Sequence, residues 1–368
     1  MKKIKIAQII PSFGVGGAEK LVLDYITYFD KDSVEIIAIS LYGNKNTIHD
    51  KFIENHGLKV IYLNKKPGLD FRMFRKIDQI IREFKPDVIH SHMYTIKYLL
   101  YSIMKNRNIS LFHTIHSEPK KDVNRIDKFF NKIAFTKLKC TPIALTNKLA
   151  NSINEFYGIN NSIVLNNGID LDTFRNENCN KYDLREEYNI SSDSFLIGHV
   201  GRFSVEKNHD FLIDVFYEYK NLNSKAVLFL VGEGKLKENI KNKVERLKIE
   251  DSVIFLGLRN DVARILSSLD LFLFPSIYEG FPVTLIEAQS IKPALKCIIS
   301  DSIDPSCVLN KNTHTMSLSD SPSTWANAIS NIKLYDEGAN DKINEFDIKY
   351  IVKKLETLYR AKLESKNN

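Results

Sequence analysis

Cysteine and long apolar runs are both scarce in this sequence of 368 residues. The four cysteines stand far apart, and none belongs to a CxxC or Cys/His spacing that would hold a metal ion. We therefore expect reduced, buried thiols of a cytoplasmic protein rather than disulfides. The longest apolar runs, such as LDLFLFP at 269–275, have the length of a strand and fall far short of the roughly 20 residues of a membrane span. The cysteines are Cys140, Cys179, Cys297 and Cys307.

The opening segment also lacks the features of a signal peptide. MKKIKIAQIIPSFGVGG begins with basic residues, but it has neither a long apolar region nor a small-residue cleavage site. The segment therefore predicts a buried first strand.

Charge is divided unevenly between the two halves of the chain. Residues 1–165 carry 26 Lys and Arg against 15 Asp and Glu, a net charge of +11. The whole chain has a net charge of +7, so the remaining residues carry −4. A basic first half suggests an anionic partner or surface for that half.

Short β-branched runs alternate with amphipathic helical stretches along nearly the whole chain. Near-continuous apolar strands separated by helices are typical of parallel sheets that are covered on both faces. A polar segment at 166–182 interrupts the series. We predict an α/β protein with two Rossmann-like, doubly wound domains, at 1–167 and 168–346, and a helix at 347–368 that packs back on the first domain. The runs lie at 4–10, 34–40, 59–63, 87–92, 110–116 and 141–146, and then at 195–201, 226–232, 251–257, 269–275 and 295–300.

A glycine-rich turn, FGVGGAEK (13–20), follows the first strand. Gly14, Gly16 and Gly17 permit a tight turn, and a helix that begins near Ala18 would direct its first N–H groups toward an anion such as a phosphate. The spacing is not the full GxGxxG of a dinucleotide site, so a dehydrogenase is disfavoured. A turn that only lets strand and helix pack closely stays open as the alternative.

A second turn, HVGRFSVEKNHD (199–210), opens the second domain. Arg202 and Lys207 stand five residues apart on it, and both can reach into an interdomain cleft. Two cations aimed at one point would neutralise a diphosphate and stabilise it as a leaving group. A solvated pair of loop cations is the alternative.

The segment PSIYEGFPVTLIEAQS (275–290) offers two carboxylates around the start of a helix. Glu279 lies on the loop after an apolar strand and Glu287 lies eight residues beyond it, about two helical turns further, whereas Pro282 has no N–H to donate. One carboxylate can accept hydrogen bonds from sugar hydroxyls, the amides can receive phosphate, and the far carboxylate can bind ribose hydroxyls. The backbone donors between them are Gly280, Phe281, Val283 and Thr284.

These motifs together resemble the family 4 retaining glycosyltransferases of the GT-B fold, especially those that build bacterial capsules, exopolysaccharides and O-antigens. The matching stretches are GGAEK (16–20), HVGRF with EKNHDFLI (199–213), LVGEG (230–234), FLGLRNDV (255–262) and LDLFLFPS through EGFPVTLIEAQ (269–289). The resemblance implies two Rossmann-like domains that face each other across a cleft. It covers nearly the whole chain, although the first domain matches more loosely.

The resemblance also implies roles for single residues. Glu279 would contact hydroxyls of the transferred sugar and Glu287 would bind the ribose. Arg202 and Lys207 would bind the diphosphate, with help from the amides of Gly16 and Gly17. The nucleobase would be bound by backbone near FLGLR, so its identity is poorly encoded by side chains.

Four histidines close two consecutive strands of the first domain, where ligands bind in parallel sheets. In similar enzymes a histidine after the fourth or fifth strand lies beside the donor sugar, and His116 is our candidate because it stands just beyond its strand. His113 is predicted to lie in the core. The pair His90 and His92 has no accompanying carboxylate cluster, so we expect no metal site and no cofactor.

The loop 289–297 departs from the resemblance. Similar sequences have a shorter, glycine-containing segment here, whereas the atypical part of this loop, 290–296, contains a proline and two or so extra residues. The departure places the packing behind the ribose site in question but leaves the donor motif intact.

The sequence therefore predicts transfer of a hexosyl or N-acetylhexosaminyl unit from an NDP-sugar, most simply a UDP-sugar, to an acceptor hydroxyl with retention. The resemblance implies front-face displacement, in which the leaving diphosphate oxygen helps to deprotonate the acceptor. An NDP-sugar epimerase and a non-catalytic nucleotide-sugar-binding subunit remain as alternatives.

The acceptor is expected to be a glycan or an undecaprenyl-diphosphate-linked oligosaccharide at the inner face of the cell membrane, and no nucleic-acid partner is expected. The basic stretches 71–85 and 125–139 support this expectation. In the second, Ile126, Phe129 and Phe130 recur at helical spacing among lysines, which suits an anionic membrane surface. An ordinary helix that faces the core is the alternative.

Overall fold

The predicted apolar runs all form strands in the computed structural model, which describes residues 3–175, 183–291, 295–332 and 341–367. Two further short strands, Ile163–Val164 and Thr313–Met316, extend the two sheets at one edge each. Two stretches singled out above lie partly outside the described residues. They are the polar segment 166–182, of which 176–182 with Cys179 is not described, and the loop 289–297, of which 292–294 is not described. None of the helices within the described ranges combines the length and apolar character of a bilayer-spanning segment.

The chain divides into two compact units, which are Met1–Gly168 with Asp347–Asn368, and Ile169–Phe346. Each unit is built on one parallel sheet. The first has seven strands in the order β3-β2-β1-β4-β5-β6-β7, and the second has six in the order β10-β9-β8-β11-β12-β13. Both orders reverse beside the first strand of the unit, which creates the crevice at the carboxyl ends where doubly wound sheets bind ligands.

The first unit alternates its strands with helices, as right-handed crossovers between parallel strands require. Several helices begin at a side-chain cap, and Thr47 forms a capping box with Asp50. The strands are β1 Ile4–Ile10, β2 Val34–Ser40, β3 Val60–Tyr62, β4 Val88–His92, β5 Ser110–Ile115, β6 Thr141–Ala144 and β7 Ile163–Val164. The helices are α1 Gly17–Tyr28, α2 Ile48–Asn55, α3 Arg72–Phe84, α4 Leu100–Lys105, α5 Pro119–Asp122, α6 Arg125–Lys137 and α7 Asn147–Tyr157.

The second unit repeats the pattern. Its core joins the inner faces of the strands to α10, α11 and the buried Trp325, which is the single tryptophan of the sequence. The helices are α8 Leu171–Arg175, α9 Asp183–Glu187, α10 His209–Leu222, α11 Lys237–Arg246, α12 Val262–Ser268, α13 Val283–Ser290 and α14 Pro322–Asn331. The strands are β8 Phe195–Val200, β9 Ala226–Val231, β10 Val253–Gly257, β11 Leu271–Phe274, β12 Lys296–Ser300 and β13 Thr313–Met316.

The final helix, α15 (Ile348–Asn367), belongs to the first unit although the second unit precedes it in sequence. Its apolar stripe packs with α1 and with the inner faces of β1, β4 and β5. Ile351, Leu355 and Tyr359 are almost completely buried there. The last element of the chain therefore completes the core around the first strand.

The stretch 125–139 orients its apolar side chains differently from an ordinary core-facing helix. The buried residues of α6 include Asp127 and Asn131, whereas Ile126 and Phe129 are 62% and 61% exposed. Lys97 donates to Asp127 at 2.7 Å and so anchors the helix to the turn after β4. The helix also buries Ala134 and Phe135, so one face packs on the core while Ile126 and Phe129 lie outside that face.

Leu355→Ala should lower the free energy of unfolding by about 2–5 kcal/mol, because it removes a fully buried side chain of α15 from a close-packed core. Leu358→Ala is the matched control, since it changes the same residue type on the same helix at a half-buried position. Urea denaturation followed by circular dichroism measures both. Equal losses for the two variants would show that α15 does not bury its Leu355 face.

Candidate functional site

A buried ion pair joins two loops of the second unit. Lys207 ends a short 3-10 turn after β8, and Glu279 lies in the loop after β11. Lys207 Nζ donates to Glu279 Oε1 at 2.6 Å, with the two side chains only 16% and 11% exposed. The same Nζ lies 5.0 Å from the centre of the Phe274 ring, which adds a cation–π contact. A cation and a carboxylate from two separate motifs therefore meet at the carboxyl end of the sheet.

Two further hydrogen bonds hold the same loops together. The Ile277 amide donates to the Glu206 carbonyl at 2.8 Å, and Asn208 Nδ2 donates to the Pro275 carbonyl at 3.1 Å. Asn208 has a φ of 55°, a left-handed conformation that asparagine tolerates better than most residues. The turn after β8 is thus fixed to the loop after β11 before any ligand binds.

Glycine at 201 makes room for the lysine at the end of β8. A Cβ at this position would lie 2.9 Å from His199 Nε2 and 3.3 Å from Lys207 Cδ. Gly232, at the end of the neighbouring strand, has a φ of 138°, and a Cβ on it would lie 2.1 Å from the Gly201 carbonyl oxygen. A side chain at either position would displace the loop that carries Lys207.

The amino end of α13 lies directly beyond Glu279. Among the four predicted backbone donors, the Val283 amide donates to the Phe281 carbonyl at 3.0 Å. Within the described residues, the amides of Gly280, Phe281 and Thr284 make no such bond, and Thr284 Oγ1 is buried without a partner. A helix amino end with unsatisfied donors attracts an anion.

A glutamine that the sequence analysis missed anchors α13 from behind. Gln289 is buried, and each end of its amide group makes two hydrogen bonds. Its Nε2 donates to the carbonyls of Leu285 and Cys307 at 3.3 and 2.8 Å, and its Oε1 accepts from the Leu309 amide and Thr313 Oγ1 at 2.7 and 3.0 Å. A polar residue inside the apolar run LIEAQS was the available signal.

The remaining predicted residues of the second unit occupy different environments. Glu287 lies on α13, half-buried and about one turn beyond its start. Arg202 is exposed on the loop after β8. The structure therefore places one predicted cation in a buried ion pair and leaves the other accessible to solvent.

The glycine-rich turn of the first unit leads directly into α1. Gly16 is the N-cap, with φ −164° and ψ 167°, and the helix begins at Gly17. None of Gly14, Gly16 and Gly17 has a positive φ, so the turn does not require left-handed backbone at these positions. Without a side chain at these positions, the first turn of α1 is open to close approach by a ligand.

His116 follows β5 immediately and is partly exposed, whereas His113 is buried within the strand. His116 Nε2 lies 3.0 Å from His92 Nδ1, and His113 Nδ1 lies 2.8 Å from Ser91 Oγ. Burial lowers the pKa of His116 to about 4, so its ring is neutral at physiological pH. The sequence predicted that His116 lies just beyond its strand and that His113 lies in the core, and the structure has both residues there.

In the described ranges, the side chains that could bind a metal ion do not cluster. No group of three or more His, Cys, Asp or Glu side chains there could hold a metal ion. His90 and His92, which might have formed a pair of ligands, are instead hydrogen-bonded to Tyr359 and Gln8. The three described cysteines are buried and unpaired, and burial raises the pKa of Cys297 and Cys307 to about 12.

Comparison with known families gives two matches that divide the chain as the sheets do. A model of the family described as "Glycosyltransferase Family 4" matches residues 15–173, and one described as "Glycosyl transferases group 1" matches residues 180–345. The second match contains Lys207, Glu279 and α13, and the first contains the glycine-rich turn and His116.

Individual relatives match over most of their length. An alpha-1,3-galactosyltransferase of Escherichia coli that acts from UDP-Gal on alpha-D-GlcNAc-diphosphoundecaprenol is 27% identical, with 83% of this chain and 82% of that protein covered. The capsular polysaccharide biosynthesis glycosyltransferase CapH of Staphylococcus aureus is 28% identical, with 98% and 99% covered. The crystal structure of Anabaena HepE in complex with UDP and glucose has a TM-score of 0.81 at 19% identity, with 96% and 99% covered. The predicted GT-B fold is confirmed.

Lys207→Met should lower the free energy of unfolding of the second unit by roughly 1–3 kcal/mol, because it leaves the Glu279 carboxylate nearly buried without its partner. The double variant Lys207→Met with Glu279→Gln should recover most of that loss. Fluorescence of Trp325 during urea denaturation measures the change, since this residue is buried in the second unit.

Lys225→Met is the matched control. It makes the same substitution in the same unit, but the Lys225–Asp193 ion pair is 61% and 53% exposed, so its loss should change stability by little. If Lys207→Met costs no more than Lys225→Met, the pair with Glu279 contributes nothing to the fold.

Proposed function

Because the chain belongs to the family 4 and group 1 glycosyltransferases, whose models match residues 15–173 and 180–345, we propose that it transfers a sugar from a UDP-sugar with retention of configuration. The transferred unit is a hexosyl or N-acetylhexosaminyl group. The acceptor is a hydroxyl of a glycan or of an oligosaccharide linked to undecaprenyl diphosphate, in surface polysaccharide synthesis. The observation that carries the proposal is the Lys207–Glu279 pair beside the open amino end of α13.

The charges at this position suit a sugar diphosphate. Lys207 and Arg202 supply positive charge on one loop, and α13 directs its first amides and the positive end of its dipole toward the same edge of the sheet. The sugar hydroxyls would bind Glu279 and the ribose hydroxyls Glu287.

The chemistry needs no covalent enzyme intermediate. The bond from the anomeric carbon to the diphosphate breaks while the acceptor oxygen forms its bond on the same face of the sugar. The proton of the acceptor hydroxyl passes to the leaving phosphate oxygen. Lys207, Arg202 and the helix amides stabilise the charge that develops on the diphosphate, a task that a metal ion performs in other sugar transferases.

The name of one relative supports the proposed classes of donor and acceptor. The E. coli protein is named for a UDP-sugar donor and a diphosphoundecaprenol-linked acceptor, and it matches over more than four fifths of both chains. The full chain should therefore be incubated with a panel of UDP-sugars and polyprenyl-diphosphate-linked acceptors, with products identified by mass spectrometry and NMR. An α-linked product from an α-linked donor is expected, both with and without EDTA.

Three outcomes of this assay would count against the proposal. A β-linked product would overturn retention. Activity lost in EDTA and restored by Mn²⁺ would overturn the metal-independent mechanism. UDP release at the same rate with and without acceptor, together with an altered sugar, would favour an NDP-sugar epimerase.

Arg202→Ala should lower turnover by roughly 10²-fold, because it removes a cation that stabilises the leaving diphosphate. The exposed position of Arg202 makes this the cleaner test, whereas Lys207→Ala should show the same loss together with lower stability. Steady-state release of UDP with acceptor present measures both. Arg246→Ala, at an exposed arginine of α11, is the control and should retain full activity.

Substitution of Glu287 and of Glu279 should change different kinetic parameters in the same assay. Glu287→Ala should act mainly through the KM for the donor, since a ribose contact serves ground state and transition state alike. Glu279→Ala should also lower kcat, because it positions the anomeric carbon. Unchanged kinetics in Arg202→Ala and Glu279→Ala would place the diphosphate elsewhere.

We also propose that the first unit binds an anionic membrane surface through α6. Ile126 and Phe129 are exposed, and Lys132 and Lys137 are exposed on the same helix. An apolar side chain can enter the acyl boundary while lysines contact the head groups. Elsewhere in this unit, Phe71 before α3 and Tyr101 and Met104 on α4 are also exposed apolar side chains.

Lys132→Glu with Lys137→Glu should release the protein from vesicles of phosphatidylglycerol and phosphatidylethanolamine in a co-sedimentation assay. Each lysine near an anionic surface contributes about 1 kcal/mol, screened over about 8 Å at physiological salt. The control, Lys353→Glu with Lys354→Glu on α15, makes the same change in charge at exposed positions. Equal release by both pairs would mean that overall charge, and not α6, binds the membrane.

A further inference from the structure

A continuous series of hydrogen bonds runs through the buried side of the first unit and ends at His116. From His116 it passes to His92 at 3.0 Å, and then from His92 Nε2 to Gln8 Oε1 at 2.8 Å. Gln8 Nε2 continues it to the Tyr359 hydroxyl on α15 at 3.3 Å. All of its members except His116 are completely buried, so water does not compete for these contacts.

Gln8 sets the direction of these hydrogen bonds. Its carbonyl oxygen can only accept, so His92 Nε2 must carry the proton that the two share. A neutral imidazole has one N–H, and therefore His92 Nδ1 is an acceptor. His116 Nε2 must then donate to His92 Nδ1, which leaves His116 Nδ1 without a proton.

The other branch has the same direction. Gln8 Nε2 donates to the Tyr359 oxygen. Among the described contacts of this hydroxyl, His90 Nδ1 at 2.6 Å is the one group that can accept its proton. His90 Nε2 in turn donates to Thr114 Oγ1 at 2.7 Å. His90, His92 and His116 therefore all carry their single proton on Nε2.

The neutral state on which this reasoning depends follows from burial. Desolvation lowers the pKa of His90 and of His92 well below the ordinary value and lowers that of His116 to about 4. Burial also raises the pKa of the Tyr359 phenol, so this group keeps its proton. At pH 7 each ring holds one proton, and the tautomer is a fixed structural property.

We propose that Gln8 and His92 are positioning residues that hold His116 in the Nε2–H form, so that its Nδ1 accepts a hydrogen bond from a hydroxyl group of the ligand. Within the described residues His116 Nδ1 makes no hydrogen bond, and the ring is partly exposed at the carboxyl end of β5. An acceptor here favours a hydroxyl over a phosphate or carbonyl oxygen. That this hydroxyl belongs to the transferred sugar rests on the proposed function.

Nitrogen NMR of the full chain labelled with ¹⁵N-histidine tests the tautomer directly. Two-bond nitrogen–proton correlations distinguish Nε2–H from Nδ1–H rings, and the signals of each residue are identified by their loss in His90→Asn, His92→Asn and His116→Asn. The Nε2–H pattern is expected for all three residues at pH 7.5. The variants serve only to assign the signals, and the tautomer is measured in the unsubstituted protein. An Nδ1–H pattern for His116 in that protein overturns the inference.

Gln8→Met tests the role of the glutamine, because methionine has a similar shape but neither accepts nor donates these bonds. The variant should lose the single tautomer of His116 and should lower kcat/KM for the donor roughly three- to tenfold, the effect of one neutral hydrogen bond. The affinity for UDP should not change, since UDP has no transferred sugar. A single, unchanged tautomer in Gln8→Met would overturn the assignment.

Ser91→Ala is the matched control. Ser91 lies between His90 and His92 on β4, but its hydroxyl contacts His113, outside the series. This variant loses a buried hydrogen bond of the same strand and should keep both the His116 tautomer and kcat/KM. Equal kinetic losses in Gln8→Met and Ser91→Ala would show that Gln8 acts only through general stability.

The two proposals fail in different ways. The Nε2–H pattern without transfer to any acceptor would leave the tautomer assignment intact and refute the proposed function. Transfer activity together with an Nδ1–H ring at His116 would do the reverse.

Discussion

The ion pair of Lys207 and Glu279 links the two loops of the second unit that carry the candidate site. Two charges with little exposure must meet in good geometry, because their loss of hydration is otherwise not offset. Three neighbouring residues help to maintain the geometry of this ion pair. Glycine at 201 makes room for the lysine, and the Ile277 amide and Asn208 side chain fix the distance between the two loops. Lys207 is therefore held in place by contacts of the protein itself.

The first unit depends on a different kind of contact. Gln8 on the first strand and Tyr359 on the last helix are 351 residues apart in sequence, yet they share a hydrogen bond in the core. Buried polar groups are costly unless each finds a partner, so such a network specifies one arrangement of β1, β4, β5 and α15. The return of α15 to the first unit thus has two consequences. It covers the apolar side of the sheet, and it supplies the hydroxyl that orients Gln8.

The candidate site was predictable to different degrees in its different parts. The motif around Glu279 and Glu287 could be located because a helix start after an apolar strand has a local signature, and α13 does begin at Val283. The direct contact of Glu279 with Lys207 could not, since 72 residues separate them. Gln289 was missed for a similar reason: its partners Cys307 and Thr313 lie on other elements, and only packing brings them within reach. The glycine turn was located from its composition, and α1 does begin within it, at Gly17.

The sequence by itself determined the series of strands and helices, because apolar periodicity is a local property that burial on a sheet imposes on each segment in turn. It also indicated the family, since each of the matching stretches is a short continuous run of the chain. Only the tertiary structure decided which face of α6 is exposed, which carboxylate Lys207 contacts and which nitrogen of His116 carries the proton. Each of these depends on groups that are distant in sequence, and the free energy of such a contact exists only once both groups have left water together.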